Sequence, residues 1–172
     1  QRRIAKKDVK MTFQEIKKML ASRIHEYRLT ALLVLTEKYK KADENIKKDI
    51  INFYLSHTNY INNWDLVDLS SHQILGDYLI NKDKNILYKL ANSNNLWEKR
   101  ISIISTYTFI RNNKFQDTLN ISRILLDDKH DLIHKAVGWM LREIGKRNLE
   151  IEENFLKKYY KKMPRTMLRY AI

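Results

Sequence analysis

Asn62-Asn63-Trp64-Asp65-Leu66-Val67-Asp68 opens a segment whose apolar residues return once per helical turn. Followed at about 100° per residue, one arc carries Trp64, Val67, Ile74, Leu75, Tyr78 and Leu79, so the spacing predicts a helix over Trp64–Asn81. Asn62 or Asn63 supplies an N-cap, and Asp65 falls in the first turn, where negative charge suits the helix dipole. Asp68 lies inside the apolar arc one turn after Trp64, and capping does not account for it. Two readings stand side by side. Asp68 pairs with an arginine, or with His72 four residues on, as a structural link; or it faces a place where positive charge must be stabilised.

Working outward, the same interval recurs. Arg28-Leu29-Thr30-Ala31-Leu32, Arg100-Ile101-Ser102-Ile103-Ile104 and Lys135-Ala136-Val137-Gly138-Trp139 each set a basic residue before apolar and small positions, and Trp64 falls in step with them. The spacings from residue 28 to 64, 100 and 135 are 36, 36 and 35 residues. A period of this size in a helical chain predicts an all-α, right-handed α-solenoid of HEAT-like helix pairs, with a groove lined by the second helix of each pair. The remaining helices are expected over Gln1–Lys7 as a tail, Thr12–Ala21 behind a Thr12/Glu15 capping box, His25–Lys41 and Asp43–Ser56. Further along they are expected over Lys84–Ala91, Leu96–Arg111, Phe115–Leu126, Asp131–Lys146, Ile151–Met163 and the segment opened by Pro164 at a first helical position. Residues 1–172 read as one repeat domain, trimmed at both ends within helical pattern.

Composition narrows the chemistry. With 172 residues and 44% hydrophobic content the chain is long enough for one well-buried core. Three Gly and one Pro favour helices over tight turns, and they leave no glycine-rich phosphate loop. The lack of Cys removes disulfides, thiol nucleophiles and Cys-ligated metal centres and fits a reducing compartment, so a cytoplasmic, nucleoid-associated protein is expected. Against 20 acidic residues stand 33 Lys and Arg, a formal charge of +13. Such a surplus points to a polyanion, and nucleic acid leads over a membrane surface because the basic residues are spread over most segments.

Four motifs in order, Asn63-Trp64-Asp65-Leu66-Val67-Asp68, Trp97-Glu98-Lys99-Arg100, Val137-Gly138-Trp139-Met140-Leu141-Arg142-Glu143 and Met163-Pro164-Arg165-Thr166 with Leu168-Arg169-Tyr170-Ala171, resemble the AlkD family of bacterial DNA alkylation-repair glycosylases. The likeness runs over essentially the whole chain, with the family's N-terminal helices shortened. It implies a HEAT-like fold and excision of positively charged N3- or N7-alkylated purines from duplex DNA. By motif position it makes Asp68 the catalytic carboxylate, Trp64 and Trp139 the aromatic walls, and Arg100 a basic residue beside them.

The residue types suit that chemistry. An alkylated purine already carries positive charge and leaves without a general acid, so the demand is to stabilise an oxocarbenium-like sugar. A carboxylate about 3–4 Å away does so and can orient the attacking water. Indoles offer negative faces to the cation, worth about 0.5–2 kcal/mol each. Arg100 clamps a flanking phosphate or fixes the carboxylate. The pattern alone gives plainer readings: Trp139 takes the slot of Leu32 and Ile104 and reads as core, Arg100 as a rung between neighbouring repeats, and Trp97 as packing. His130 and His134 have the spacing of two metal ligands on a helix but no third, so no metal and no cofactor is expected. Arg111, Lys114, Arg142, Lys146, Arg147, Arg165 and Arg169 are the candidate phosphate contacts. Duplex DNA containing alkylated bases is the expected partner, with no membrane and no obligate protein partner. A non-catalytic basic module that binds DNA or RNA, or a protein-interaction scaffold without salt-dependent duplex affinity, are the competing functions.

Overall fold

In the computed structural model, Gln1, Arg3, Ala5 and residues 8–172 are described, and among them every regular element is helical. The expected tail over Gln1–Lys7 falls largely on Arg2, Ile4, Lys6 and Lys7, outside the described residues. The helices are α1 (Phe13–Leu20), α2 (His25–Lys41), α3 (Glu44–Ser56), α4 (Trp64–Ser71), α5 (Asp77–Leu79), α6 (Asn85–Ala91), α7 (Leu96–Ser105), α8 (Tyr107–Arg111), α9 (Gln116–Ile124), α10 (Asp131–Gly145), α11 (Leu149–Tyr159) and α12 (Arg165–Ala171). A π-turn, His72–Gly76, joins α4 to α5.

Local sequence explains most of the boundaries. Thr12 and Glu15 form the expected capping box in front of α1. Asp43, Asn95 and Asn148 accept hydrogen bonds from the first turns of α3, α7 and α11. Asn113 takes the left-handed conformation (φ 57°) just past α8, a role open to Asn because its short side chain tolerates that region.

Four helices, α2, α4, α7 and α10, pack as successive neighbours in chain order, while α1 lies on α2, α6 on α7, and α9, α11 and α12 on α10. The core between them is aliphatic, with Leu32, Leu35, Val67, Leu75, Ile101, Ile104, Ile133 and Met140 fully buried. Burial of side chains of this size contributes about 1.5–3 kcal/mol each.

Several expectations need correction. Trp64 leaves the apolar arc and is 53% exposed, because at the first position of α4 it lies beyond the end of the neighbouring core. Asn63 occupies the N-cap position but its side chain makes no capping bond. Asp65 instead accepts from the Leu66 N–H at 2.8 Å and pairs with His25 at 2.7 Å, tying the start of α4 to the start of α2. The helix predicted over Trp64–Asn81 widens into the π-turn and ends at Leu79. The one predicted over Leu96–Arg111 breaks at Thr106, whose hydroxyl donates to the Ile103 carbonyl. Pro164 precedes α12 as its cap, with ψ 144°, and does not occupy the first turn.

Candidate active-site cleft

The arrangement starts from Asp68 on α4. Both of its oxygens accept from Arg100 on α7, Oδ1 from Nε at 2.9 Å and Oδ2 from Nη2 at 2.8 Å. The third guanidinium nitrogen, Nη1, donates to the Leu132 carbonyl on α10. Three consecutive core helices therefore converge on one guanidinium. Arg100 is buried, with 6% of its side chain exposed, whereas the Asp68 side chain keeps 17%. Each carboxylate oxygen gives Arg100 one of two lone pairs, and the other remains for water or a ligand. A planar fork matches a carboxylate in this way, and a lysine would not.

Asp68 faces a cleft of about 380 Å³. Trp64 and Trp139 line it together with Asp68 and Arg100, so the four residues singled out in the sequence meet although they lie far apart in the chain. Leu132, Lys135, Arg142 and Tyr170 complete the wall, and of these Leu132, Lys135 and Tyr170 had no assigned role in the sequence reading. Lys135 is linked to Asp131 one turn earlier, at 2.6 Å. Tyr170 reaches the cleft because α12 lies hard against α10. A Cβ at Gly138 would stand 2.4 Å from the Met167 carbonyl and 2.5 Å from the Tyr170 Cβ. That glycine is a readable signal of close helix packing, though the sequence does not say against which helix.

Trp139 departs from its repeat equivalents. Leu32 and Ile104 are fully buried, while Trp139 is half-buried with its ring 5.8 Å from Tyr107. Arg100 gives two nitrogens to the carboxylate and the third to the Leu132 carbonyl, and is no free phosphate clamp. Arg28, its equivalent two repeats earlier, spends Nη1 on the carbonyls of Ser22 and Arg23. Arg142 differs again: its Nε is buried without a protein partner.

The remaining basic candidates lie away from the cleft wall. Lys146 and Arg147 both pair with Glu143, at 2.6 and 3.0 Å. Burial alone would raise the Glu143 carboxyl, but hydrogen bonds from these two cations hold it below its ordinary value. Lys114 donates to the Ile80 carbonyl and to Asn81, closing the turn beyond α5. Arg111 lines a second depression with Lys40, Lys47 and His72. Arg165 and Arg169 are exposed on α12. His134 hydrogen-bonds to the Asp128 carbonyl and His130 accepts from the Leu132 N–H, so the i, i+4 histidine pair serves the start of α10.

With this geometry in place, the sequence comparison is decisive: the family model described as DNA alkylation repair enzyme matches residues 1–172. The chain belongs to the DNA alkylation repair enzyme family. Membership connects it with DNA as the molecule acted upon. The solved structure described as a predicted DNA alkylation repair enzyme from Enterococcus faecalis shares the fold, with a TM-score of 0.75 at 16% sequence identity, over 98% of this chain and 79% of that one. A search among curated proteins gives no match. Among the described residues, no helix of this family member is long and apolar enough to cross a membrane.

Proposed function

We propose that this repair-family member is a DNA glycosylase that hydrolyses the N-glycosidic bond of positively charged N3- or N7-alkylated purines in duplex DNA. The observation that carries the reading is Asp68, oriented by the Arg100 fork and open to a cleft between Trp64 and Trp139. The departing base is already cationic, so the reaction needs no proton donor at the base. As the C1′–N bond lengthens, positive charge collects on the sugar. Asp68 stabilises that charge and orients the water that attacks C1′, accepting its proton as the new C–O bond forms. Trp64 and Trp139 supply π-faces to the cationic base and sugar edge. Arg100 is a positioning residue that fixes the carboxylate plane.

Arg142, which lines the cleft, takes the flanking phosphate that the sequence reading offered to Arg100. Arg111, Lys114, Lys146, Arg147, Arg165 and Arg169 supply backbone contacts further out. The successive packing of α2, α4, α7 and α10 supports a right-handed solenoid of HEAT-like pairs whose groove takes the duplex. Work on chromosomal DNA makes the protein cytoplasmic and nucleoid-associated.

The test is incubation with duplex DNA carrying N7-methylguanine and N3-methyladenine, followed by chromatography of the released bases. Free alkylated base from the wild type and none from Asp68→Asn is the expected result. Salt-dependent duplex binding without any released base would replace the enzyme with a non-catalytic binding module.

A further inference from the structure

We propose that His72 and Tyr107 form a support behind Trp139 that holds its indole at the cleft wall, and that the π-turn after α4 exists to build it. The inference rests on the glycosylase reading for its kinetic consequences, though not for its geometry. The three rings form a continuous row. His72 meets Tyr107 edge-on at 5.5 Å and 78°, and Tyr107 lies 5.8 Å from Trp139 at 36°. Rings at these separations restrain one another's orientation beyond simple burial.

The backbone around the row is shaped for it. The π-turn adds one residue per turn and rotates the following face relative to an unbroken α-helix. Its His72 carbonyl accepts from the Thr108 hydroxyl at 2.5 Å, one residue beyond Tyr107. Gly76 closes the same turn, and a Cβ there would stand 2.2 Å from the Ser105 carbonyl. The break between α7 and α8 thus sits directly on the π-turn, and Tyr107 starts the new helix between the two aromatic partners. Two helix irregularities meet at one place and present one ring to the cleft.

His72 also makes the support sensitive to protons. It is half-buried, and the backbone of Asp68 one turn earlier favours its charged form. The groups that face it are Asp68 on its own helix, Arg111 from α8 and Lys40 from α2, with Tyr39, Lys47 and Asp77 in the adjoining depression. Burial is the chief reason its imidazole is held below the ordinary histidine range. Arg111 and Lys40 add to that, and Asp68 opposes it. Protonation adds a cation beside Arg111 and Lys40, and their repulsion displaces the ring from its edge-on seat against Tyr107.

The experiment is steady-state release of N7-methylguanine from a duplex, between pH 5 and 8, by the wild type, Tyr107→Phe, Tyr107→Ala and His72→Asn. Folding is checked by circular dichroism at each pH. Tyr107→Phe keeps the wild-type rate, and Tyr107→Ala loses about 3–10-fold in kcat, the equivalent of one aromatic pair, with KM nearly unchanged. The wild-type rate falls toward the acid end of that range, below the ordinary histidine value, and His72→Asn removes that limb. Unchanged kcat in Tyr107→Ala, or an acid limb retained in His72→Asn, overturns the proposal. Fluorine NMR of 5-fluorotryptophan protein separates it from the parent reading. If no base is released, a Trp139 resonance that shifts in Tyr107→Ala and titrates only when His72 is present still establishes the support. A resonance that ignores both substitutions refutes it.

Discussion

At the scale of single residues, the protein depends on how Asp68 is held. Arg100 gives it two parallel hydrogen bonds from a buried position, so the plane of the carboxylate is fixed. Arg100→Lys retains the charge and loses the fork. We expect release of methylated base to fall about 100-fold, as a misplacement of roughly 1 Å does elsewhere, while duplex affinity measured by fluorescence anisotropy stays within a factor of a few. Glu152 makes the opposite case. It is 6% exposed, its Oε1 has no partner, and Gly145 leaves it room: a Cβ there would lie 1.6 Å from Oε2. Burial and the neighbouring Glu153 push its carboxyl above the ordinary value, against the pull of Arg142. A folded-state value above the unfolded one means the native state holds the proton more tightly. The resulting stability is fully present below pH about 4.5 and is lost as pH rises through the folded value. Glu152→Gln should therefore melt at a higher temperature than the wild type at pH 7, and the difference should vanish near pH 4.

At the scale of elements, the informative positions are the irregular ones. The π-turn, the break at Thr106 and the glycines at 76 and 138 are where one helix must fit against another. Gly76→Ala forces a Cβ onto the Ser105 carbonyl, a backbone atom that cannot swing aside. An overpacking cost of about 1–3 kcal/mol follows, a drop in Tm of ~2–12 °C by differential scanning calorimetry. Several helices were legible from local signals, as with the Thr12 and Glu15 capping box before α1 or the Asp43 cap before α3. The π-turn was not, since nothing in His72-Gln73-Ile74-Leu75-Gly76 breaks the apolar period; the extra residue is imposed by α7 and α8 packing across it. The placement of Trp64 failed for a related reason. Periodicity gives a direction around the helix, and it does not say where along the axis the partner ends.

For the molecule as a whole, charge is the quantity that bears on function. A net +13 makes binding to DNA a counterion-release process. If the groove neutralises about 6–10 phosphates, affinity for an unmodified duplex should fall by about 10³–10⁵ between 50 and 200 mM salt. Arg142→Ala should reduce the slope of log K against log salt by about 0.9, the share of one phosphate, in an anisotropy titration. A wild-type affinity that ignores salt would contradict the assignment of DNA as the partner.

Beyond the family resemblance, which implied that Trp64, Asp68, Arg100 and Trp139 belong together, the sequence by itself determined that the chain is helical, that a basic and apolar motif recurs every 35 or 36 residues, and that the chain is strongly basic. Those properties are local or periodic, carried by side-chain spacing and composition, and survive without knowledge of the neighbours. Whether Arg100 serves phosphate or carboxylate, which tryptophan faces solvent, and which of seven basic residues borders the cleft were decided only by tertiary structure. Each depends on what a different helix places within about 3 Å of the side chain, and hydrogen-bond geometry at that range is fixed by packing across the fold.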